Sequence, residues 1–143
     1  MLFKRASRSQ PEVAYMVVQN VSGSTITAGY SCAFDVGASV DGVRVSRAGT
    51  TRLQSYAGVA DSDIANNAYG LVQVYGYRSS ALIWSSTGTS AAGDNLTVTA
   101  SNWGLTPAAV AGTSKAWGFL CSGVTASSSS PYQTTASVFI RAL

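Results

Sequence analysis

The run Leu71-Val72-Gln73-Val74-Tyr75-Gly76-Tyr77 is built from β-branched and aromatic side chains and carries no helix signal. Such residues fit a pleated surface and lose side-chain freedom in a helix. The run lies within residues 58–84. A polar loop on Asp61, Asp63, Asn66 and Asn67 precedes it, and a second apolar run, Ala81-Leu82-Ile83-Trp84, follows. Gly76 predicts a bulge or a close backbone approach. Arg78-Ser79-Ser80 predicts a turn between the two runs. A chain organised around this stretch is expected to fold as strands.

Shorter β-type segments fill the rest. Residues 13–21 set Tyr15, Val17, Gln19 and Val21 on one face and Met16, Val18 and Asn20 on the other, the period of a strand. Further strands are expected at 25–27, 30–36, 43–47, 53–60 and 96–100. At 43–47, Val43 and Val45 alternate with Arg44. Residues 116–122 would carry Trp117, Phe119 and Cys121 on one side. A last strand at 136–142 puts Val138 and Ile140 opposite Phe139 and Arg141. Residues 102–113 read as a loop with one helical turn at 108–111. Short strands between glycine-centred turns imply an all-β fold, a small single-domain β-barrel or β-sandwich. The β domain is expected at 13–143, behind an extended N-terminal arm at 1–12. A chain of 143 residues can bury roughly 70% of its unfolded surface.

The side chains that catalyse are scarce. Histidine is absent, so a serine nucleophile has only Lys4 or Lys115 as a base, and neither stands in a Ser-x-x-Lys spacing. A hydrolase would need two carboxylates across a cleft, drawn from Asp35, Asp41 and Asp94. Asp61 and Asp63 suit a hard cation, but the loop lacks the glycine and closing glutamate of an EF-hand and reads equally as a turn. Cys32 and Cys121 lie far apart without Cys-x-x-Cys spacing, which excludes a cysteine zinc site; free buried thiols in a reducing cytoplasm are expected. No enzyme, cofactor or metal is expected. No stretch is long enough for a signal peptide's apolar centre or a membrane span.

Charged residues make up 10% of the chain, against about 25% in soluble proteins. A surface of hydroxyls and amides buries cheaply against a partner. The cations cluster early: Lys4, Arg5, Arg8, Arg44, Arg47 and Arg52. Without interleaved aromatics they argue against a nucleic-acid surface and suit an acidic protein surface. Trp84, Trp103, Trp117 and seven tyrosines can fill a core or an interface, or stack on sugars.

Two segments carry a family resemblance. Asn20, Ser22, Gly23, Ile26 and Gly29 form one, and Gly58, Val59, Ala60, Gly70, Val72, Val74 and Gly76 the other. Over about residues 16–84 the chain resembles the capsid cement, or decoration, proteins of tailed bacteriophages. Tyr75 directly before Gly76 departs from the pattern's spacing, and residues 87–143 match nothing. The resemblance implies a virion structural protein on the capsid exterior, synthesised in the host cytoplasm. It would be a homo-oligomer, a trimer by preference, stabilising the lattice by binding the major capsid protein. Phe3, Lys4, Arg5 and Arg8 of the arm, with Arg44, Arg47 and Arg52, would make that contact, since an arm can add a strand to a neighbour's sheet. The alternative is a fibre, spike or adhesin-type β module that binds surface glycans through Trp84, Trp103 or Tyr77.

Overall fold

The computed structural model describes residues 2–4, 12–36, 42–48, 53–85, 89–100, 102–108, 115–125 and 132–142. Among them are ten strands: β1 (Leu2–Lys4), β2 (Val13–Asn20), β3 (Ser31–Phe34), β4 (Arg44–Ser46), β5 (Tyr56–Ala60), β6 (Tyr69–Ser85), β7 (Asn95–Val98), β8 (Leu105–Pro107), β9 (Gly118–Leu120) and β10 (Tyr132–Arg141). All ten belong to one mixed sheet, ordered β1-β2-β4-β3-β5-β6-β10-β9-β7-β8, with further pairings β2–β6 and β6–β8. The fold is all-β, as the alternation of residue types implies, and sandwich-like.

The two extra pairings close the sheet into two circuits that share β6 and have the same topology. In the first, β2 pairs in parallel with β4 and antiparallel with β6. In the second, β6 pairs in parallel with β8 and antiparallel with β10. The second strand of each circuit, β3 or β7, pairs antiparallel with the third and fourth. The fourth, β5 or β9, pairs antiparallel with the last. Isolated bridges recur at matching places, Ile26↔Ile64 and Ser90↔Val124. Loop hydrogen bonds repeat too: the Gly29 N–H donates to the Ala60 carbonyl, and the Gly93 N–H to the Leu120 carbonyl. The chain is therefore a structural duplication in which β6 ends one unit and begins the next.

Two cores follow the two units. Ala14, Val18, Ile26, Cys32, Val45, Ala57, Ala60, Ile64, Val72 and Val74 fill the first. The second gathers Ile83, Leu96, Leu105, Trp117, Leu120, Val138 and Ile140, together with Ala33, Tyr56 and Val59 from β3 and β5. Both faces of β5 are thus buried, and all five of its residues are inaccessible. Each fully buried Leu or Ile is worth about 1.5–3 kcal/mol. Residues two apart in a regular strand share a face, but Gly58, at φ 138°, and a register shift between Cys32 and Ala33 let β5 send Ala57 to one core and Val59 to the other. A Cβ at Gly58 would strike the Gln73 carbonyl oxygen. Gly118, which pairs with Leu96 as Gly58 pairs with Cys32, would strike the Phe139 carbonyl in the same way.

Several expectations need correction. Arg78-Ser79-Ser80 does not turn the chain: β6 runs through it for 17 residues, and the extra residue is absorbed as a bulge opposite Ala136–Val138. Gly76 does make the close approach expected, with φ 101° and the Glu12 carbonyl where its Cβ would be. The segment 25–27 contributes only the Ile26 bridge. Residues 105–107, expected as loop, pair with β7 as β8, and Ala108 is not helical. Trp117, Phe119 and Cys121 do not share an environment: Trp117 is buried, Phe119 half-buried and Cys121 exposed. Both thiols are free, but only Cys32 is buried. Val138 and Ile140 face inward, in a strand that begins four residues earlier than expected, at Tyr132.

Buried polar groups are mostly satisfied. Asn20, fully inaccessible, donates from Nδ2 to the Ser24 and Ile64 carbonyls at 2.7 and 2.8 Å. Its Oδ1 accepts from the Ser22 N–H at 2.9 Å. The Tyr56 hydroxyl is an exception: it is buried with no hydrogen-bond partner among the described residues. Burial, then the neighbouring Cys32 thiol, pushes its pKa up, with Arg78 opposing.

Three outcomes are expected. Tyr56→Phe removes an orphan hydroxyl and should leave stability unchanged or raise it by about 1 kcal/mol in urea unfolding. Gly58→Ala and Gly118→Ala should each cost about 2 kcal/mol or more, whereas Gly23→Ala, with open space around its Cβ, should cost about 1 kcal/mol for its positive φ. Burial raises the Cys32 pKa to about 12, so its thiolate is scarce at neutral pH and its access blocked; a thiol reagent at pH 8 should label Cys121 first and Cys32 only on unfolding.

Candidate functional site

The kink at Gly76 builds a cleft on the outer face of β2 and β6. Tyr15, Asp61, Gln73, Tyr77, Arg78, Ser79 and Ser80 line it, around about 300 Å³. Six of the seven come from the 58–84 stretch. The Gln73 side chain, 2% exposed, folds back along its own strand. Its Nε2 donates to the Tyr77 carbonyl at 3.0 Å and the Tyr75 carbonyl at 3.3 Å, so it braces the backbone on both sides of Gly76. Its Oε1 accepts from Arg78 Nη1 at 3.5 Å.

Arg78 is held from several sides. Its Nε donates to the Ser80 carbonyl at 2.8 Å. Nη1 forms an ion pair with Asp61 Oδ1 at 3.2 Å, and Nη2 donates to the Asp61 carbonyl at 3.4 Å. The guanidinium is nearly covered while the carboxylate stays 40% exposed. Planar, multiply bonded arginines hold their geometry well. The Tyr15 pKa is raised by burial first, then by the Asp61 carboxylate, with Arg78 opposing; its phenol therefore lies within the field of the ion pair. Tyr77 stands 41% exposed at the rim.

The tryptophans of the alternative reading lie outside this cleft. Trp103 stacks on Tyr30 at 5.7 Å, carries the Arg47 guanidinium 5.9 Å from its ring, and accepts from the Ser31 N–H and Oγ through its carbonyl. It borders a larger cleft of about 410 Å³ with Ser22, Ser24, Asp35, Ser46 and Arg47. Trp117 is buried against Tyr56 at 5.4 Å under the Lys115 ammonium. Trp84 is half-buried, and its Cβ packs on Gly104. Of the rings singled out for glycans, Tyr77 keeps the most exposure.

The basic candidates do not converge among the described residues. Phe3 and Lys4 lie in β1, which pairs antiparallel with β2 through Leu2↔Tyr15 and Lys4↔Val13. Arg44 is half-buried in β4 and Arg47 exposed just beyond it. Arg5, Arg8 and Arg52 lie outside the described residues, as does Asp41. Asp63 and Asp61 part company: Asp63 Oδ1 accepts from the Ala28 N–H at 2.8 Å, while Asp61 serves Arg78. Asp94 Oδ2 accepts from the Ala91 N–H at 2.8 Å, closing a turn. Among the described residues, no group of three metal-ligating side chains occurs and no helix is long and apolar enough to cross a membrane. The sequence singles out Asp61 and Tyr77 but not Arg78, which reads as part of a turn, nor Gln73, which reads as an ordinary strand residue.

No protein-family model and no curated protein matches the chain. Among solved structures it is similar to the N base of the head fibre protein gp8.5 of bacteriophage phi29, with a TM-score of 0.53 and 18% identity over 91% of this chain and 95% of that one. This match corrects the resemblance to capsid cement and decoration proteins: the shared fold is that of a head fibre base. The glycines behind that resemblance are explained by geometry within this fold. Gly29, Gly58 and Gly76 all take positive φ, and the last two sit where a Cβ would meet a backbone oxygen.

Proposed function

We propose that the chain is a fibre-type structural module displayed on the exterior of a phage particle, where it binds surface glycans. The single observation behind this reading is the fold shared with a head fibre base across nearly the whole of both chains. The composition supports it, since a weakly charged surface rich in hydroxyls suits repeated contacts in an assembly. Glycan binding rests on the cleft at Tyr77, where an exposed ring stands beside a fixed carboxylate and guanidinium. Aromatic faces with planar polar groups beside them are suited to sugars, whose rings present C–H faces and hydroxyl edges.

Attachment to the particle is assigned to the arm. Phe3, Lys4, Arg5 and Arg8, helped by Arg47 and Arg52, would meet acidic groups on the major capsid protein, and three copies together would give the attachment multivalency. An antibody against this chain is expected to label projections on the head of phage particles that carry it; label confined to the tail or absent from intact particles would refute the fibre reading. Removing residues 2–12 should abolish attachment while the circular dichroism spectrum stays β-type. Light scattering in line with size exclusion should report a trimer.

A further inference from the structure

The Asp61–Arg78 pair points to which glycans the cleft accepts. Resting on the saccharide reading above, we infer that the cleft selects neutral sugars by gripping a vicinal diol between Asp61 Oδ2 and Arg78 Nη2. A guanidinium has five N–H groups. In Arg78, Nε is spent on Ser80, Nη1 on Asp61 Oδ1 and Gln73 Oε1, and one Nη2 hydrogen on the Asp61 carbonyl. One Nη2–H remains. Asp61 uses Oδ1 on Arg78, which leaves Oδ2 as an acceptor on a carboxylate that is 40% exposed. One acceptor and one donor, on side chains joined by the Nη1–Oδ1 pair and the Nη2–carbonyl bond, match adjacent hydroxyls of a pyranose: one hydroxyl donates to Oδ2 and its neighbour accepts from Nη2–H. Tyr77 supplies the ring beneath the sugar face, and Tyr15 closes the opposite side.

The same geometry disfavours acidic sugars. Asp61 balances the guanidinium charge at 3.2 Å, so no net positive charge is left to draw a carboxylate or phosphate. An acidic ligand placed on Arg78 would sit beside the exposed Asp61 carboxylate, and like charges at that range repel. Gln73 matters through Arg78. As a buried amide it holds the guanidinium without adding charge, which keeps the pair neutral.

Titration calorimetry on the full chain tests this, with chitotriose and maltotriose as neutral probes and trigalacturonic acid and sialyllactose as acidic ones. A neutral probe should bind at least about tenfold more tightly than either acidic one, and Asp61→Asn should weaken the neutral probe by about tenfold, the scale of one charge-assisted hydrogen bond. Tyr77→Ala, a surface change that leaves the Asp61–Arg78 pair intact, should weaken all saccharides alike, and Tyr69→Ala on the same strand none. Acidic probes binding as tightly as neutral ones, with the Tyr77 dependence kept, would overturn the diol selection while the saccharide reading stands. Unchanged neutral binding in Asp61→Asn would also overturn it. Binding of no probe would overturn both.

Discussion

Every route around this sheet passes through β6. The strand pairs with β2, β5, β8 and β10, so its backbone N–H and C=O groups satisfy partners in both units. A buried backbone group without a partner costs about as much as a lost hydrogen bond, and β6 cannot serve two circuits as a straight, regular strand. It shifts register against β2 near Val74 and against β10 near Ser79 and Ser80. Bulges bend a strand and increase its twist, and here they carry the chain from one circuit to the other. Gly76, between the shifts, takes the φ that the bend demands.

The bend is also what makes a site. Where β6 leaves the first circuit, Gln73 folds back on its own strand, and Arg78 reaches across to Asp61. The ion pair is half-exposed, so it contributes little to stability. Its value is orientation, because the buried amide and two carbonyls hold the guanidinium in place. Aromatic contacts join the units elsewhere: Tyr30 on Trp103 and Tyr56 on Trp117, each pairing a ring from the first unit with one from the second.

Much of the fold was legible in the sequence, and what escaped did so for physical reasons. Period-two alternation located β2 and separated the two faces of β10, because one face of each is dry, but it did not say which face of β10 is the buried one. It could not reveal that Arg78, Ser79 and Ser80 are strand residues, since a bulge on a wet face tolerates the same residues as a turn. β8 was hidden because Gly104 and Pro107 are punctuation in most contexts; here Gly104 fits beneath Trp84, and Pro107 lies at the strand's end. The duplication was invisible because equivalent positions answer to different surroundings. Val59 is buried between the units, whereas its counterpart Phe119 is half-exposed and stacks on Phe139. Gly29 with Gly93, and Gly58 with Gly118, are among the few pairs that kept their identity. The site was half legible: Asp61 and Tyr77 stand out as residue types, but Gln73 and Arg78 acquire meaning only through the kink.

The sharing of β6 restricts how such a protein can evolve. In a tandem repeat joined by a linker, each copy owns all its strands, and copies can be lost, added or exchanged with other genes. Here a break on either side of the shared strand leaves one unit short of a strand, with an open edge and an uncovered core. Recombination within the chain is therefore penalised, and the two halves must be inherited together. They remain free to diverge residue by residue, which accounts for two units alike in topology and dissimilar in sequence.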